Sequence, residues 1–295
     1  MLILVFCAGL LSGCHPNARS RPDLPRLVSG MVMRDVKFFS AALGREMSYR
    51  VFLPASAAPG EKFSVVYLLH GNGGDFLDWS NQSNAAEYAA KGMVLVMPEG
   101  GSSYFLNAAE RPRDRYEDYL VHDLVADVEA RFPVERDREH RAVVGVSMGG
   151  FAAIKMGLSH PEEFVFVGAM SPPVDVPERR FTLRRAGQWL GFREIFGPMG
   201  SEARRARNPF VLVQSANPGA TPFIYLTAGE EEALFEPDRS FAARLKQRGF
   251  DFEFYSRPGG HDWNDWNGQI LGCFHKLFET LPKAGISRDG GKSRP

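Results

Sequence analysis

In Gly145-Val-Ser147-Met-Gly149-Gly150 a serine stands between glycines two positions to either side. The apolar run Ala142-Val-Val-Gly-Val146 leads into it, and a stretch of helical character from about Phe151 to Leu158 follows. A serine hydroxyl is a weak nucleophile until a base takes its proton. A sharp strand-to-helix turn thrusts the hydroxyl clear of the backbone, at a helix end whose dipole favours a developing anion. Small residues at the flanking positions let strand and helix approach. The chemistry this permits is acyl transfer through an acyl-serine. The bland alternative is a tight glycine turn with an incidental serine, and the strand before it and helix after it argue against that.

With the serine in such a turn, an acid and then a histidine should follow in chain order. Of seven histidines, only His261 and His275 lie well beyond Ser147. His261 sits in Pro258-Gly-Gly-His261-Asp-Trp, directly after the apolar run Phe252 to Ser256, where a general base is expected. His275 falls inside the last amphipathic stretch and reads as an ordinary helix residue, and His160 is too close to the serine. The acid belongs after the penultimate strand, where the chain reads Thr227-Ala-Gly229-Glu230-Glu231-Glu232. Any of the three glutamates can orient an imidazole, but mutual repulsion allows at most one to be buried against it. Asp262, beside the base in sequence, is a weaker candidate. An oxyanion needs two backbone N–H donors. Met148 supplies one, and the turn His70-Gly-Asn-Gly-Gly74, after the buried run Phe63 to Leu69, offers Asn72 as the other. Trp263 and Trp266 are candidates to line the pocket, with helix packing an equal reading for Trp266.

The elements that must hold these residues follow from periodicity. Met31–Phe39 and Glu46–Leu53 alternate as a hairpin. Near-continuous apolar runs at Phe63–Leu69 and Met93–Met97 read as buried strands, the first covered on both faces, with further strands at Ala142–Val146, Phe164–Met170, Phe223–Ala228 and Phe252–Ser256. Helical spacing is expected over Asn84–Lys91, Tyr116–Arg131, Pro237–Arg248 and Asn264–Glu279. Strands alternating with helices imply a mainly parallel sheet covered on both faces. The irregular, Arg-rich stretch 172–220 is expected to be a cap-like insertion over the active edge of one domain spanning 30–282, and 283–295 a disordered tail.

Thirty-five basic residues balance 35 acidic ones, so no net field draws the chain to nucleic acid or an anionic membrane. Three cysteines, Cys7, Cys14 and Cys273, make neither a disulfide framework nor a zinc spacing; Cys273 reads as a buried, inert thiol. Residues 1–14 form an apolar run ending Leu11-Ser12-Gly13-Cys14, too short for the ~20 residues of a membrane span. It suits a secretory leader, and its ending resembles a bacterial lipobox, which makes Cys14 the first mature, lipidated residue. No Lys or Arg precedes the run, a departure from that pattern. Residues 15–29, with three prolines, are expected to be a flexible tether. The expectation is an exported protein, held to a membrane through a lipid anchor alone.

Tyr67-Leu-Leu-His-Gly-Asn-Gly-Gly-Asp75, Tyr116-Glu-Asp-Tyr-Leu-Val-His-Asp-Leu124, Gly145-Val-Ser-Met-Gly-Gly-Phe151 and Gly259-Gly-His-Asp-Trp-Asn-Asp-Trp266 form an ordered set. Together they resemble the esterase D branch of the α/β-hydrolases, with its feruloyl esterases, S-formylglutathione hydrolases and mycolyltransferases. The resemblance implies an α/β-hydrolase fold and a serine carboxylic-ester hydrolase acting on a small-molecule ester, with no metal or organic cofactor. The family carries Gly-x-x-Asp at its acid position; laid on this chain, Gly229 puts Glu232 in place of that aspartate, with Glu231 second. Two other readings share the fold: acyl transfer to a sugar or lipid alcohol, and a non-catalytic ligand-binding lipoprotein.

Overall fold

The computed structural model describes residues 22–180 and 186–282. The leader, Cys14, the first part of the expected tether and the C-terminal tail lie outside the described residues. Eight strands form one sheet: β1 Met31–Ser40, β2 Arg45–Pro54, β3 Ser64–Leu69, β4 Met93–Pro98, β5 Arg141–Val146, β6 Phe166–Met170, β7 Phe223–Gly229 and β8 Phe252–Arg257. Their spatial order is β1-β2-β4-β3-β5-β6-β7-β8. β1 pairs antiparallel with β2, and β2 with β4; every other pairing is parallel. Chain order reverses at β3, whose neighbours β4 and β5 lie on opposite sides, and open α/β sheets bind ligands at the carboxyl ends of strands around such a point.

The buried runs are those the apolar pattern singles out. Every residue of β3, β4, β5 and β6 is buried, as a sheet covered on both faces requires. The helices are α1 Asp78–Gln82, α2 Ala86–Ala89, α3 Tyr116–Asp118, α4 Val125–Arg131, α5 Met148–Ser159, α6 Ala186–Phe196, α7 Glu202–Arg205, α8 Pro209–Ser215, α9 Phe235–Arg248 and α10 Trp263–Thr280. One apolar cluster fills the face under α4, α5 and α9, with Tyr49, Phe151, Val167 and Phe241 at its centre. The other lies under α10, with Leu68, Trp79, Ile270 and Phe274. None of the helices among the described residues is long and apolar enough to cross a membrane.

Four expectations need adjustment. The helix expected over Asn84–Lys91 shrinks to α2, with α1 formed before it. The helix expected over Tyr116–Arg131 is continuous but runs through a π-helical segment, Tyr119–Leu124, between α3 and α4; the wider turn keeps Leu120, Val121, Leu124, Val125 and Val128 all buried. Part of the stretch expected as a cap belongs to the body, since Phe196 and Val213 are fully buried in the first cluster. From Asp23 on, the expected tether is held down: the fully buried Arg50 takes Asp23 in a bidentate pair at 2.8 Å and Asp35 beside it, and the Arg26 amide donates to the Ser80 carbonyl at 2.8 Å. A guanidinium without exposure requires such partners, which the proline-rich composition of the segment conceals.

Candidate active site

Ser147 occupies the turn between β5 and α5 with φ 52° and ψ −119°, a conformation costly for a residue with a β-carbon. Two glycines make the turn possible. A β-carbon on Gly145 would lie 2.2 Å from the Gly149 carbonyl carbon, and one on Gly149 would lie 2.2 Å from the Leu69 carbonyl oxygen. The Ser147 amide is tied to the Met170 carbonyl at the end of β6, at 2.8 Å. The Ser147 turn is thus fixed to the strands on both sides of β5.

The loop after β8 brings His261 back over this turn. Its Nε2 is 2.8 Å from Ser147 Oγ, and its Nδ1 is 2.5 Å from Glu232 Oε2. With Nδ1 protonated toward the carboxylate, Nε2 faces the serine as an acceptor. The Glu232 side chain is 3% exposed, whereas that of His261 is 36% exposed. The other Glu232 oxygen accepts the Gly229 amide at 2.7 Å, so both carboxylate oxygens are engaged and the group is aimed. Glu230 accepts from Ser256 Oγ, and both Glu230 and Glu231 are exposed. Asp262 caps α10, accepting the amides of Asn264 and Asp265. Of the acids considered from sequence, only Glu232 meets the imidazole.

A cavity of about 290 Å³ opens beside Ser147, lined by Gly71, Asn72, Gly74, His261, Trp263 and Trp266 among others. Asn72 is exposed in the glycine turn, and Met148 opens α5, where the first amides of a helix have no intrahelical acceptor. His70, fully buried, fixes the turn: the Gly100 amide donates to its Nε2 at 3.0 Å, so its Nδ1 carries the proton and donates to the Gly71 carbonyl at 2.8 Å. Trp266 borders the cavity and is also 7% exposed in the second core cluster. Its ring meets His261 edge-to-face at 4.9 Å and Trp263 at 5.3 Å. Among the described residues no cluster of His, Cys, Asp or Glu is disposed to hold a metal. His275 is 80% exposed and pairs with Glu279, and Cys273 is fully buried, its thiol pushed far up by desolvation.

Sequence reading did not single out Asp265 or the polar group Ser171, Thr227 and Gln269. Asp265 accepts the Gly260 amide at 2.5 Å and so pins the backbone beside His261; its place three residues after an N-capping aspartate is the one signal in the sequence. Buried side-chain hydrogen bonds across elements leave no periodic trace.

An eight-stranded, mostly parallel sheet with this strand–serine–helix turn at its reversal point defines an α/β-hydrolase. Residues 40–277 match the model of the family described as "Putative esterase", and the chain belongs to that esterase family, a class of carboxylic ester hydrolases. It is 27% identical over 269 residues to an acetyl esterase of Caldicellulosiruptor saccharolyticus, covering 85% of this chain and 99% of the relative. It is 24% identical over 297 residues to the diacylglycerol acyltransferase/mycolyltransferase Ag85A of Mycobacterium leprae, covering 89% and 85%. Among solved structures it resembles an S-formylglutathione hydrolase from Agrobacterium tumefaciens with a TM-score of 0.74, 20% identity, and coverage of 88% and 99%, a likeness of fold.

Proposed function

We propose that the protein hydrolyses a carboxylic ester through an acyl intermediate on Ser147. The observation that carries this reading is His261 spanning Ser147 Oγ at 2.8 Å and Glu232 at 2.5 Å. His261 takes the serine proton as Oγ attacks the ester carbonyl, then gives it to the departing alcohol. Glu232 orients the ring and stabilises its charged form. The Asn72 and Met148 amides receive the oxyanion, and water repeats the sequence to release the acid. Trp263 and Trp266 form the wall against which the substrate rests.

The likeness to the mycobacterial acyltransferase supports a second reading, transfer to a sugar or lipid alcohol. The 36% exposure of the His261 side chain favours water, since solvent reaches the base directly. Lipidation at Cys14 and export belong to the same proposal and rest on the short apolar run, its Leu-Ser-Gly-Cys ending and the proline-rich stretch after it; mass analysis of the mature N-terminal peptide tests them. The test of the catalytic reading is hydrolysis of p-nitrophenyl acetate, butyrate, octanoate and a feruloyl ester by wild type and Ser147→Ala. Loss of several orders of magnitude in kcat supports it. Activity surviving in Ser147→Ala refutes it, and inactivity of both on every ester, with turnover appearing only when an alcohol acceptor is added, favours the transferase.

A further inference from the structure

Ser171 is the residue that follows β6, and it is fully buried with φ 48°, one of four non-glycine residues with positive φ among those described. Another of the four is Ser147, at the end of the adjacent strand. Strain of this kind persists only where the surroundings enforce it. Here a closed polar chain does so. The Ser171 amide donates to the Thr227 carbonyl at 2.7 Å. Thr227 Oγ1 donates to Gln269 Oε1 at 2.7 Å, and Gln269 Nε2 donates back to Ser171 Oγ at 3.4 Å. Thr227 and Gln269 are each 3% exposed.

Thr227 lies in β7, Gln269 in α10 and Ser171 directly after β6, and each leads directly to a part of the site. Met170, before Ser171, holds the Ser147 amide. Thr227 lies two residues before Gly229, whose amide binds Glu232. Gln269 lies one helical turn beyond Asp265, which pins Gly260 beside His261. The acid and base loops are zipped to each other, by Glu230 N to Arg257 O at 2.9 Å and Glu231 N to Gly259 O at 3.0 Å. The Ser171–Gln269–Thr227 chain joins that zipped pair of loops and α10 to the strand end beside the nucleophile through side chains.

We propose that Gln269 is a positioning residue: with Thr227 and Ser171 it sets the distance between the serine turn and the paired loops that carry Glu232 and His261. The inference rests on the proposed serine mechanism. It gives a buried amide a task that filling the core with an apolar side chain would not perform, since Leu or Met at 269 would pack without fixing register.

The test compares wild type with Gln269→Met, which keeps volume and removes both hydrogen bonds, with Thr227→Val, and with the double variant. The readouts are kcat and KM on p-nitrophenyl acetate, the rate at which a small fluorophosphonate labels Ser147, and Tm. A misplacement on the order of 1 Å costs up to about a hundredfold in rate. Gln269→Met should therefore lower kcat and the labelling rate at least about tenfold, with KM within about threefold. Thr227→Val should do the same, and the double variant should be no slower than the worse single. If Gln269→Met lowers Tm while kcat and labelling stay within twofold of wild type, Gln269 is packing and the inference is wrong. Wild-type Ser147 that fails to label would instead remove the serine mechanism itself, and this inference with it.

Discussion

Gly149 approaches Leu69 so closely that a β-carbon on the glycine would lie 2.2 Å from the Leu69 carbonyl oxygen. Because that oxygen belongs to the end of β3 and Gly149 to the first turn of α5, the contact sets how deep the serine turn sits between β3 and β5. The obstacle is backbone, which has no rotamer through which to yield. Gly149→Ala should cost about 3 kcal/mol or more, at or above the upper end of what overpacking a packed interior usually costs. Soluble yield and the urea midpoint measure it. A variant that folds with wild-type stability would show that the elbow is looser than the geometry implies.

Glu232 reaches His261 and the Gly229 amide at once, one oxygen for each. Glu232→Gln keeps the shape but removes the charge that supports the imidazolium, and kcat should fall about 10²- to 10⁴-fold, as when the buried acid of a serine triad is neutralised. Glu232→Asp is one methylene short and cannot span both partners, so an intermediate loss is expected. Glu230→Gln and Glu231→Gln, at exposed positions, should stay within about twofold of wild type. A large loss in Glu231→Gln with Glu232→Gln unaffected would move the acid by one residue.

These geometries mark where the sequence is informative and where it is not. The strands of the sheet were legible because a strand buried on both faces is nearly continuous in apolar residues, and β3 to β6 have no exposed position to break the run. The turn at Ser147 was legible because its backbone demands glycines at fixed offsets, whereas His261 was singled out by chain order and its place after the last strand. Choosing among Glu230, Glu231 and Glu232 needed a family likeness, since adjacent carboxylates differ only in where a loop turns. The π-helical segment within 116–131 was not visible, because widening one turn shifts the register of the apolar face without removing it. The Asp23–Arg50 pair was hidden because long-range ion pairs have no period. The same holds for Gln269, a polar residue on the buried face of an amphipathic helix.

Toward the end of α5 opposite Ser147, Glu117 holds Lys155 and His160 together. Burial alone would raise the Glu117 carboxyl, but the hydrogen bond from His160 and the charge of Lys155 outweigh it and hold it at about 2. Lys155 is lowered, because burial outweighs the attraction of Glu117. A depressed carboxyl contributes stability that is complete above its unfolded value near 4.3 and is lost as pH falls toward 2. Glu117→Gln leaves the Lys155 ammonium buried without its counter-charge and should cost about 3–5 kcal/mol at pH 7. The wild-type advantage should shrink on acidification between about pH 5 and pH 2. Activity per folded molecule should not change, because the trio touches no part of the cavity. A stability difference that is flat across this range would mean that Glu117 is not the titrating partner.

Asp238 presents the opposite sign. It lies fully buried in the first turn of α9, and neither carboxylate oxygen has a hydrogen-bond partner among the described residues. Burial pushes its carboxyl well above the usual range, Glu232 and Asp175 push it further, and Arg179 opposes them. An unpaired buried carboxyl is held neutral rather than charged. A raised folded value means that its contribution is complete below the unfolded value near 3.9 and is lost as pH rises toward the folded one, by up to about 1.4 kcal/mol per pH unit. Asp238→Asn is neutral at every pH and nearly the same shape, so it should match wild type near pH 4 and become progressively more stable than wild type toward pH 8. Thermal unfolding of both proteins from pH 4 to 9 measures the gap. A constant gap would show that Asp238 ionises in the fold as freely as it does unfolded, and that a solvent path or a cation reaches it. Among the described residues the hydrogen bonds of His261 go to Ser147 and Glu232 and none goes to Asp238. Asp238→Asn should therefore retain wild-type kcat.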